Sequence, residues 1–375
     1  DSSWQSGFKQ TVIWQINKNE GYTGASLNPA LHYGINSSGI NVRNLCPVKG
    51  GSQLYGPDMY FLSNRNFAAS SDTLFLVHVT DTINAPGQIL TVAPIISDVN
   101  YHMPVNALQP SVDSLAVNDA RVMGAFIENG YIQLVFNCFD TVSGKDCIFY
   151  GIADSSSSGW QVTGNLYTHP QRDLSYPNIS YAGNNSTDNK ALMVLLYSSP
   201  SDFPGTGAVL FDGINQFSAI STVKAGQGYF NMLTGGERWG DYTGSQRKYN
   251  QQGIVWVSGA YGLTNHTSRT WVAELGPDIT SGTQENISPE NDISLFPNPA
   301  SERINVAFTN NQNQFLTFEI YDPVGKSVKQ LFKGTVIKGR NEFSFSGSTL
   351  SSGFYVLKIT GREDNYTFSK KFIKN

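Results

Sequence analysis

The chain has 375 residues, of which 14% are charged and 12% aromatic, and its net charge of −4 argues against a nucleic-acid partner. It contains no apolar run long enough to cross a membrane and no basic, apolar leader, so we expect a processed mature form or an incomplete one. The scarcity of helical periodicity and the abundance of polar turn residues predict an all-β protein.

The predicted strands follow a repeat of about 60 residues. In each repeat an acid or amide precedes a polar turn and a strongly apolar strand. These residues are Asp58, Asp119, Asn178 and Asp241. Such repeats are typical of β-propeller blades, and residues 1 to 57 hold strands for one further blade or parts of two. We therefore predict a propeller of about five blades over residues 1–276, with a pair of β-sandwiches as the alternative.

Two of the three cysteines flank a predicted turn. A hairpin turning near Val142 and Ser143 sets Cys138 opposite Cys147, at a cross-strand distance that suits a disulfide. The pair is therefore either a disulfide or two reduced thiols. The remaining Cys46 is interpreted as a small buried apolar residue.

No catalytic or metal-binding motif stands out in the predicted propeller. The five histidines are scattered, without His-Glu-x-x-His or paired-cysteine spacing, and no Gly-x-Ser-x-Gly turn occurs. The loop NNSTDN offers oxygen ligands for calcium but lacks the ordered acids of a dedicated site. We therefore expect no metal and no cofactor, and the sequence favours a protein that is not an enzyme.

The end of the chain differs in charge from the rest. From Asp292 onward 11 basic residues stand against 7 acidic ones, whereas 14 stand against 22 before it. The polar segment 277–291 is predicted to be a linker. Residues 292–375 contain about seven strand candidates, at the spacing of a small immunoglobulin-like β-sandwich. Pro297 and Pro299 remove two amide donors, so their segment must enter a sheet from its edge.

Four motifs of this last segment occur in order: LFPNPASERINV, FEIYDPVGKSV, LSSGFYVLKI and the terminal KKFIKN. Together they resemble the type A C-terminal sorting domain of cargo exported by the type IX secretion system of the Bacteroidota. The alternative is an ordinary immunoglobulin-like stalk. Sorting-signal residues implied by the resemblance are Pro297, Asn298, Pro299, Gly325, Gly353, Tyr355, Lys370, Lys371 and Lys374.

This resemblance implies a route and a set of partners. The protein is expected to cross the periplasm and the outer membrane, to engage the translocon and an outer-membrane shuttle protein through its C-terminal domain, and to end at the cell surface or outside the cell. Cleavage within residues 277–291 and attachment of the remainder to surface lipopolysaccharide are also implied. Lys370, Lys371 and Lys374 are candidate contacts for the translocation machinery, or lysines that protect a sheet edge.

A second resemblance concerns residues 115–275. The segments SYPNISYAG, ALMVLLYSS, GAVLFDG and ERWGDYTG look like the last blades of sialidase-like (BNR/Asp-box-like) propellers in secreted proteins of the same bacteria, which implies further chain before Asp1. The candidate ligand face consists of Arg238, Trp239, Asp241 and Tyr242. It could take a sugar or a peptide. Alternatively, the charged pair ties neighbouring blades and the indole fills the space between them.

Four Asp-Ser/Thr-apolar triplets resemble O-glycosylation sites of the Bacteroidota. Their hydroxyl residues are Thr73, Thr82, Ser114 and Thr141.

Three functions are open for the propeller. The first is a glycan- or protein-binding, adhesin-like module displayed at the cell surface. The second is an exported sialidase-like glycoside hydrolase, which needs an arginine cluster and a carboxylate on one face. The third is a surface component of gliding or adhesion machinery.

Overall fold

The computed structural model describes residues 7–110, 113–156, 159–233, 237–276, 294–310, 313–323, 325–361 and 367–375. The chain forms two compact units, Asp1–Pro277 and Asp278–Asn375. Both are built from β-sheets, as the composition predicts, and the described residues contain one short helix, α1 (Lys18–Thr23). Asn17 caps its first turn through Oδ1, and Gly24 ends it with a φ of 72°. No helix in the described part of the chain is long and apolar enough to span a membrane.

Two short hairpins open the first unit. One pairs β1 (Ile13–Gln15) with β2 (Ala30–His32), and the other pairs β3 (Asn36–Ser37) with β4 (Ile40–Asn41). Both pairings are antiparallel.

The largest sheet of the first unit has nine strands. In chain order they are β5 (Cys46–Pro47), β6 (Lys49–Gly50), β7 (Met59–Asn64), β8 (Ser70–Val79), β9 (Leu90–His102), β11 (Val122–Glu128), β12 (Tyr131–Asp140), β13 (Lys145–Ser156) and β14 (Gly159–Tyr167), with β10 (Leu115–Ala116) outside the sheet. Two antiparallel meanders, β5-β7-β8-β9 and β11-β12-β13-β14, supply eight strands of this sheet, and β6 is the ninth. Parallel pairs join β9 to β14 and β6 to β11, so the sheet nearly closes on itself.

Two smaller meanders follow in the first unit. Their strands are β15 (Asp173–Tyr181), β16 (Ala191–Ser198), β17 (Gly205–Phe211) and β18 (Ser221–Lys224) in one sheet, and β20 (Gly244–Arg247), β21 (Val255–Gly262) and β22 (Ser268–Leu275) in the next. Between them, β19 (Glu237–Arg238) pairs with β10. The four strongly apolar predicted strands correspond to β8, β12, β16 and β21, and each lies inside its sheet with a partner on both sides. The main apolar strands are thus found where the sequence predicts them.

A left-handed residue stands near the start of the first strand of each meander. The four are Asn44 (φ 54°), Asn118 (φ 61°), Tyr176 (φ 50°) and Asp241 (φ 61°). This backbone conformation is uncommon for residues other than glycine. Five further non-glycine residues of the described chain share it, and the four positions range from four residues before β11 to the fourth residue of β15, so they do not define a common start. The order of the predicted repeat is present: Asp58, Asp119 and Asp241 precede β7, β11 and β20, Asn178 lies within β15, and the next strand is in each case the strongly apolar one. The propeller and its number of blades stay a prediction.

Neighbouring meanders pack face to face. Leu134 and Phe136 of β12 belong to the core shared with β8, whereas Val135 of the same strand belongs to the core shared with β16. Burial on both faces explains why β12 reads as a continuous apolar run instead of an alternating one. Gly124 allows β11 to approach β15 closely, because a Cβ there would lie 2.9 Å from the backbone nitrogen of Ile179.

The second unit consists of two sheets around one core. The first sheet contains β23 (Ser294–Phe296), β24 (Arg303–Asn310) and β27 (Gly339–Ser346), and the second contains β25 (Gln314–Tyr321), β26 (Ser327–Val336), β28 (Gly353–Gly361) and β29 (Thr367–Lys374). Ile304 and Val306 from the first sheet and Phe318, Leu357 and Ile359 from the second are fully or almost fully buried in this core. The unit is therefore a β-sandwich.

The proline-containing entry to this sandwich has the edge position that its residues predict. β23 is an edge strand and ends at Phe296, directly before Pro297. The peptide bonds that precede Pro297 and Pro299 are both cis. In the turn between β25 and β26, Gly325 has a φ of 82° and its nitrogen donates to Asp322 O at 3.0 Å.

Candidate functional site

Polar side chains gather where edge strands of three sheets meet. Lys49 of β6 places its Nζ 3.0 Å from Asn178 Oδ1 and 3.0 Å from Ser180 Oγ, both on β15, and 2.9 Å from the Ser245 carbonyl oxygen on β20. The Oγ atoms of Ser180 and Ser245 are 2.9 Å apart. We call these four residues the Lys49 cluster. One ammonium group thus donates to oxygens of two other sheets and ties the three sheets together.

Burial changes the acidity of this lysine. Because the ammonium loses hydration, the pKa of Lys49 falls from 10.5 to about 8. Among the described residues no carboxylate pairs with it. Ser180 beside it is only 3% exposed, so the cluster holds strands together and is not an open reaction site.

A small pocket with room for about one water molecule, about 20 Å³, lies at the ends of the same strands. Tyr181 is the last residue of β15, Arg247 is the last residue of β20, and Ser52 follows β6 by two residues. The other lining residues are Gly183, Asn185, Lys248, Gln251, Gln252, Gly253 and Ile254. We call this the Arg247 pocket. Its amides, hydroxyls and cations can hold a water molecule by hydrogen bonds.

Arg247 and Lys248 are the cations of this pocket. Lys248 Nζ pairs with Glu274 Oε1 at 2.9 Å. The guanidinium carbon of Arg247 instead lies 4.1 Å from the centre of the Tyr249 ring, and its Nε is buried without a hydrogen-bond partner among the described residues. Neither Lys49 nor Arg247 lies in a motif, so only the folded arrangement identifies them.

The structure separates the residues of the predicted ligand face. Arg238 and Tyr242 are exposed, and Arg238 pairs with Asp241, whose Oδ1 also accepts from Asn118 Nδ2 at 3.4 Å. Trp239, by contrast, is fully buried. Its place on the face is therefore wrong.

The burial of Trp239 has a packing explanation. Its indole meets the Tyr176 ring edge-on, with ring centres 6.3 Å apart, in a core that also contains Phe230 and Leu196. A large aromatic side chain gains more from such burial than from exposure. The alternative interpretation, an indole that fills space between sheets, describes this residue correctly.

Arg121 joins the exposed part of this face. Its Nε and Nη2 donate to the Asp119 carboxylate at 2.8 and 2.7 Å, and these hydrogen bonds, with one to Tyr242, raise the pKa of Arg121. Arg121 and Arg238 are therefore each engaged by a neighbouring aspartate. A hydrolase that grips a substrate carboxylate would need such guanidinium groups to be available.

The hairpin predicted around the cysteine pair is present. Cys138 and Cys147 lie directly opposite each other on β12 and β13, and both are fully buried free thiols. The hydrogen bond to Cys138 and burial raise the pKa of Cys147. Oxidation of the pair stays a prediction. Cys46 packs partly buried against the first core, and burial raises its pKa to about 11.

The predicted glycosylation sites differ in access. Thr82 and Thr141 are exposed and lie outside strands. Thr73 lies within β8 and donates to Asp72 Oδ1 at 2.9 Å, and Ser114 is half-buried. Access therefore favours the first two, and modification stays a prediction.

The first and last predicted sorting motifs lie side by side in the second unit. Asn298 Oδ1 accepts from the Ile373 nitrogen at 2.9 Å, the Ala300 nitrogen donates to Ile373 O at 2.7 Å, and the Asn375 nitrogen donates to Ala300 O at 2.9 Å. The proline segment thereby fastens the end of β29. We call these contacts the terminal clasp.

The remaining sorting residues lie around β28 and β29. Gly353 begins β28, and Tyr355 packs on Phe372 with ring centres 5.7 Å apart. Lys370 and Lys371 are exposed on β29, an edge strand, so both interpretations of the lysines stay open. The predicted linker, residues 277–291, lies outside the described residues.

Comparison with known families decides the nature of the second unit. Residues 294–375 match the family model of the secretion system C-terminal sorting domain. The chain carries a type IX sorting domain. It is exported through the type IX secretion system to the cell surface or the extracellular space, which confirms the predicted localisation.

One curated relative shares part of the sequence. An endo-acting ulvan lyase of Formosa agariphila is 30% identical over 91 residues, which are 24% of this chain and 16% of the lyase. The chain therefore spans 16% of the length of that relative.

Solved structures align only loosely. PorZ, a surface component of the type IX secretion system of Porphyromonas gingivalis, aligns over 92% of this chain and 40% of its own, with 11% identity and a TM-score of 0.30. Latent PorU of the same bacterium aligns over 83% and 32%, with 10% identity and a TM-score of 0.21. Sucrose-6-phosphate hydrolase of Lactobacillus gasseri aligns over 84% and 86%, with 9% identity and a TM-score of 0.23. At these scores the alignments carry no argument about function.

Proposed function

We propose that the first unit is a propeller-like module that binds a glycan or a protein, and that the sorting domain delivers it to the cell surface. Four successive antiparallel meanders support a propeller. The hairpins of β1 to β4 are candidates for parts of a fifth blade. The exposed side chains of Arg238 and Tyr242 carry the binding role, because they offer a charged group and an aromatic ring to a ligand.

The sorting domain also implies partners in the export machinery. We propose that it engages the translocon and an outer-membrane shuttle protein, that it is then removed, and that the first unit becomes attached to surface lipopolysaccharide. No cofactor is part of this proposal.

A glycan microarray probed with the purified chain tests the binding role. We expect the chain to bind a restricted set of oligosaccharides, and cells that display it to adhere to the same set. Release of reducing ends from bound glycans would favour the hydrolase instead. If neither glycans nor surface proteins of the cell are bound, the binding function is wrong.

A further inference from the structure

We propose that one end of the β28–β29 pair is the surface that a protein of the export machinery binds. This surface consists of Phe354, Val356, Lys371 and Ile373, and we call it the Phe354 face. The partner that fits it has an apolar pocket for an aromatic ring and acidic side chains beside that pocket. The inference rests on the proposed engagement of the export machinery by the sorting domain and assigns a surface to it.

The register of the two strands brings these four side chains together. Phe354 lies opposite Ile373, and Val356 lies opposite Lys371. The two members on each strand are two residues apart, so all four side chains leave the sheet on the same side. The intervening Phe372 belongs instead to the core, where it is 1% exposed. The Phe354 face is therefore the outer side of the sheet.

The apolar end of this face is open to solvent. Phe354 is 65% exposed and Ile373 is 36% exposed. Phe354 has a neighbouring strand on one side alone, because the pairing of β25 with β28 ends at Val356. An exposed aromatic ring beside an exposed aliphatic side chain is typical of a surface that a partner covers, since burial of both side chains is favourable.

Lys371 adds a positive charge to the face. It is exposed, and its row of cross-strand neighbours runs through Val356 to Tyr321 and contains no acid. Glu319 stands in the next row, opposite Lys358. Among the described residues no carboxylate pairs with Lys371. Acidic side chains of the partner would complement this charge.

The same register separates the three lysines of the last motif. Lys370 lies opposite the buried Leu357, so its side chain leaves β29 on the other side from Lys371, and Lys374 follows the same alternation as Lys370. The outer side of this strand pair thus holds two lysines, Lys358 and Lys371. Anionic lipid surfaces attract larger clusters of cations, so a protein fits the face better than a membrane does.

Export of full-length variants, measured by immunoblots of the culture medium and the periplasm, tests the inference. We expect Phe354→Ser to lower the exported fraction roughly 10-fold and to accumulate in the periplasm, because an aromatic anchor of the interface is lost. Ile337→Ser is the matched control. It removes an apolar side chain that is 66% exposed between β26 and β27 of the same unit, and it should be exported like the wild type.

A second pair of variants tests the charge. Lys371→Glu should lower export, whereas Lys371→Arg and Lys370→Glu should not, because the first keeps the charge and the second changes it on the other side of β29. The unfolding transition of the sorting domain, measured by calorimetry, should stay within about 2 °C of the wild type in the variants of exposed side chains.

Other outcomes separate this inference from the proposed function. Equal export of Phe354→Ser and Ile337→Ser, or of Lys371→Glu and Lys370→Glu, overturns the Phe354 face. If the face variants are exported normally while a chain without residues 294–375 is retained, the sorting domain still engages the machinery and the surface assignment is wrong. Binding of the wild type to phosphatidylglycerol vesicles that Phe354→Ser abolishes would assign the face to lipid and overturn the protein partner. Should Phe354→Ser unfold the domain, the two glutamate variants still decide.

Discussion

Lys49 loses much of its hydration when the three sheets meet around its ammonium group. Burial lowers its pKa from 10.5 to about 8. Between these two values the unfolded chain binds more protons at this residue than the folded chain, so its contribution to stability rises with pH over that range. Below the folded-state pKa the lysine is protonated in both states, and the contribution stays constant.

The free energy of unfolding of the wild type, relative to Lys49→Met, should therefore rise by roughly 2 kcal/mol between about pH 7.5 and pH 10. Urea unfolding at a series of pH values measures this difference. Comparing the two proteins removes the titration of the tyrosines, which both contain. Lys18→Met, on exposed helix α1, is the control. A pH-independent difference for Lys49→Met would show that the ammonium group stays hydrated.

The cysteine pair gives a second prediction at this scale. Cys138 and Cys147 face each other across two strands, and export takes the chain through an oxidising compartment. Protein collected from the cell surface should therefore show one thiol per denatured chain, that of Cys46, in place of three. Thiol titration in denaturant, before and after reduction, measures this number, and the variant with both Cys138→Ser and Cys147→Ser should give one in either case. Three thiols before reduction would contradict the disulfide.

At the scale of the elements, the terminal clasp joins the first and last strands of the sorting domain. Asn298→Ala removes the acceptor for the Ile373 nitrogen. We expect hydrogen exchange of the Ile373 amide to accelerate roughly 10-fold, because about one hydrogen bond's free energy is lost, and the amount of exported protein to fall. Exchange measured by NMR and immunoblots of the culture medium test both effects.

A matched variant separates the effect of the terminal clasp on export from the effect of a less stable sorting domain. Asn313→Ala removes a comparable acceptor, which takes the Lys338 nitrogen at 2.7 Å in an exposed turn of the same unit. It should leave export and the Ile373 amide unchanged, and Asn298→Asp, which keeps an acceptor oxygen, should restore both. Equal loss of export in the two alanine variants would mean that stability, and not the clasp, controls export.

Local sequence patterns predict elements well and meeting points between elements poorly. The apolar run of β12 predicts a buried strand, and the prolines before β24 predict entry at a sheet edge. Both predictions need only a few neighbouring residues. Lys49 and Ser245, by contrast, are 196 residues apart and meet only after three sheets have formed. Trp239 is misplaced for the same reason, since its tyrosine partner lies on another sheet.

At the scale of the whole molecule, the two units have separate cores. The cluster around Phe136 contains residues of the first unit alone, and the cluster around Phe318 contains residues of the second unit alone. The change in charge balance at Asp292 already indicates this division. What the sequence cannot supply is the Arg247 pocket, because its lining comes from residues as far apart as Ser52 and Ile254.

A chain that ends at Gly276 tests whether this division is also a division of function. Because the core clusters of the described residues each belong to one unit, the truncated chain should unfold within about 2 °C of the first transition of the full chain, as measured by calorimetry. Without residues 294–375 it should stay inside the cell envelope, whereas a fluorescent protein fused to those residues should reach the surface. A truncated chain found in the medium would place the export signal elsewhere. A large fall in its unfolding temperature would show that the sorting domain also stabilises the unit it exports.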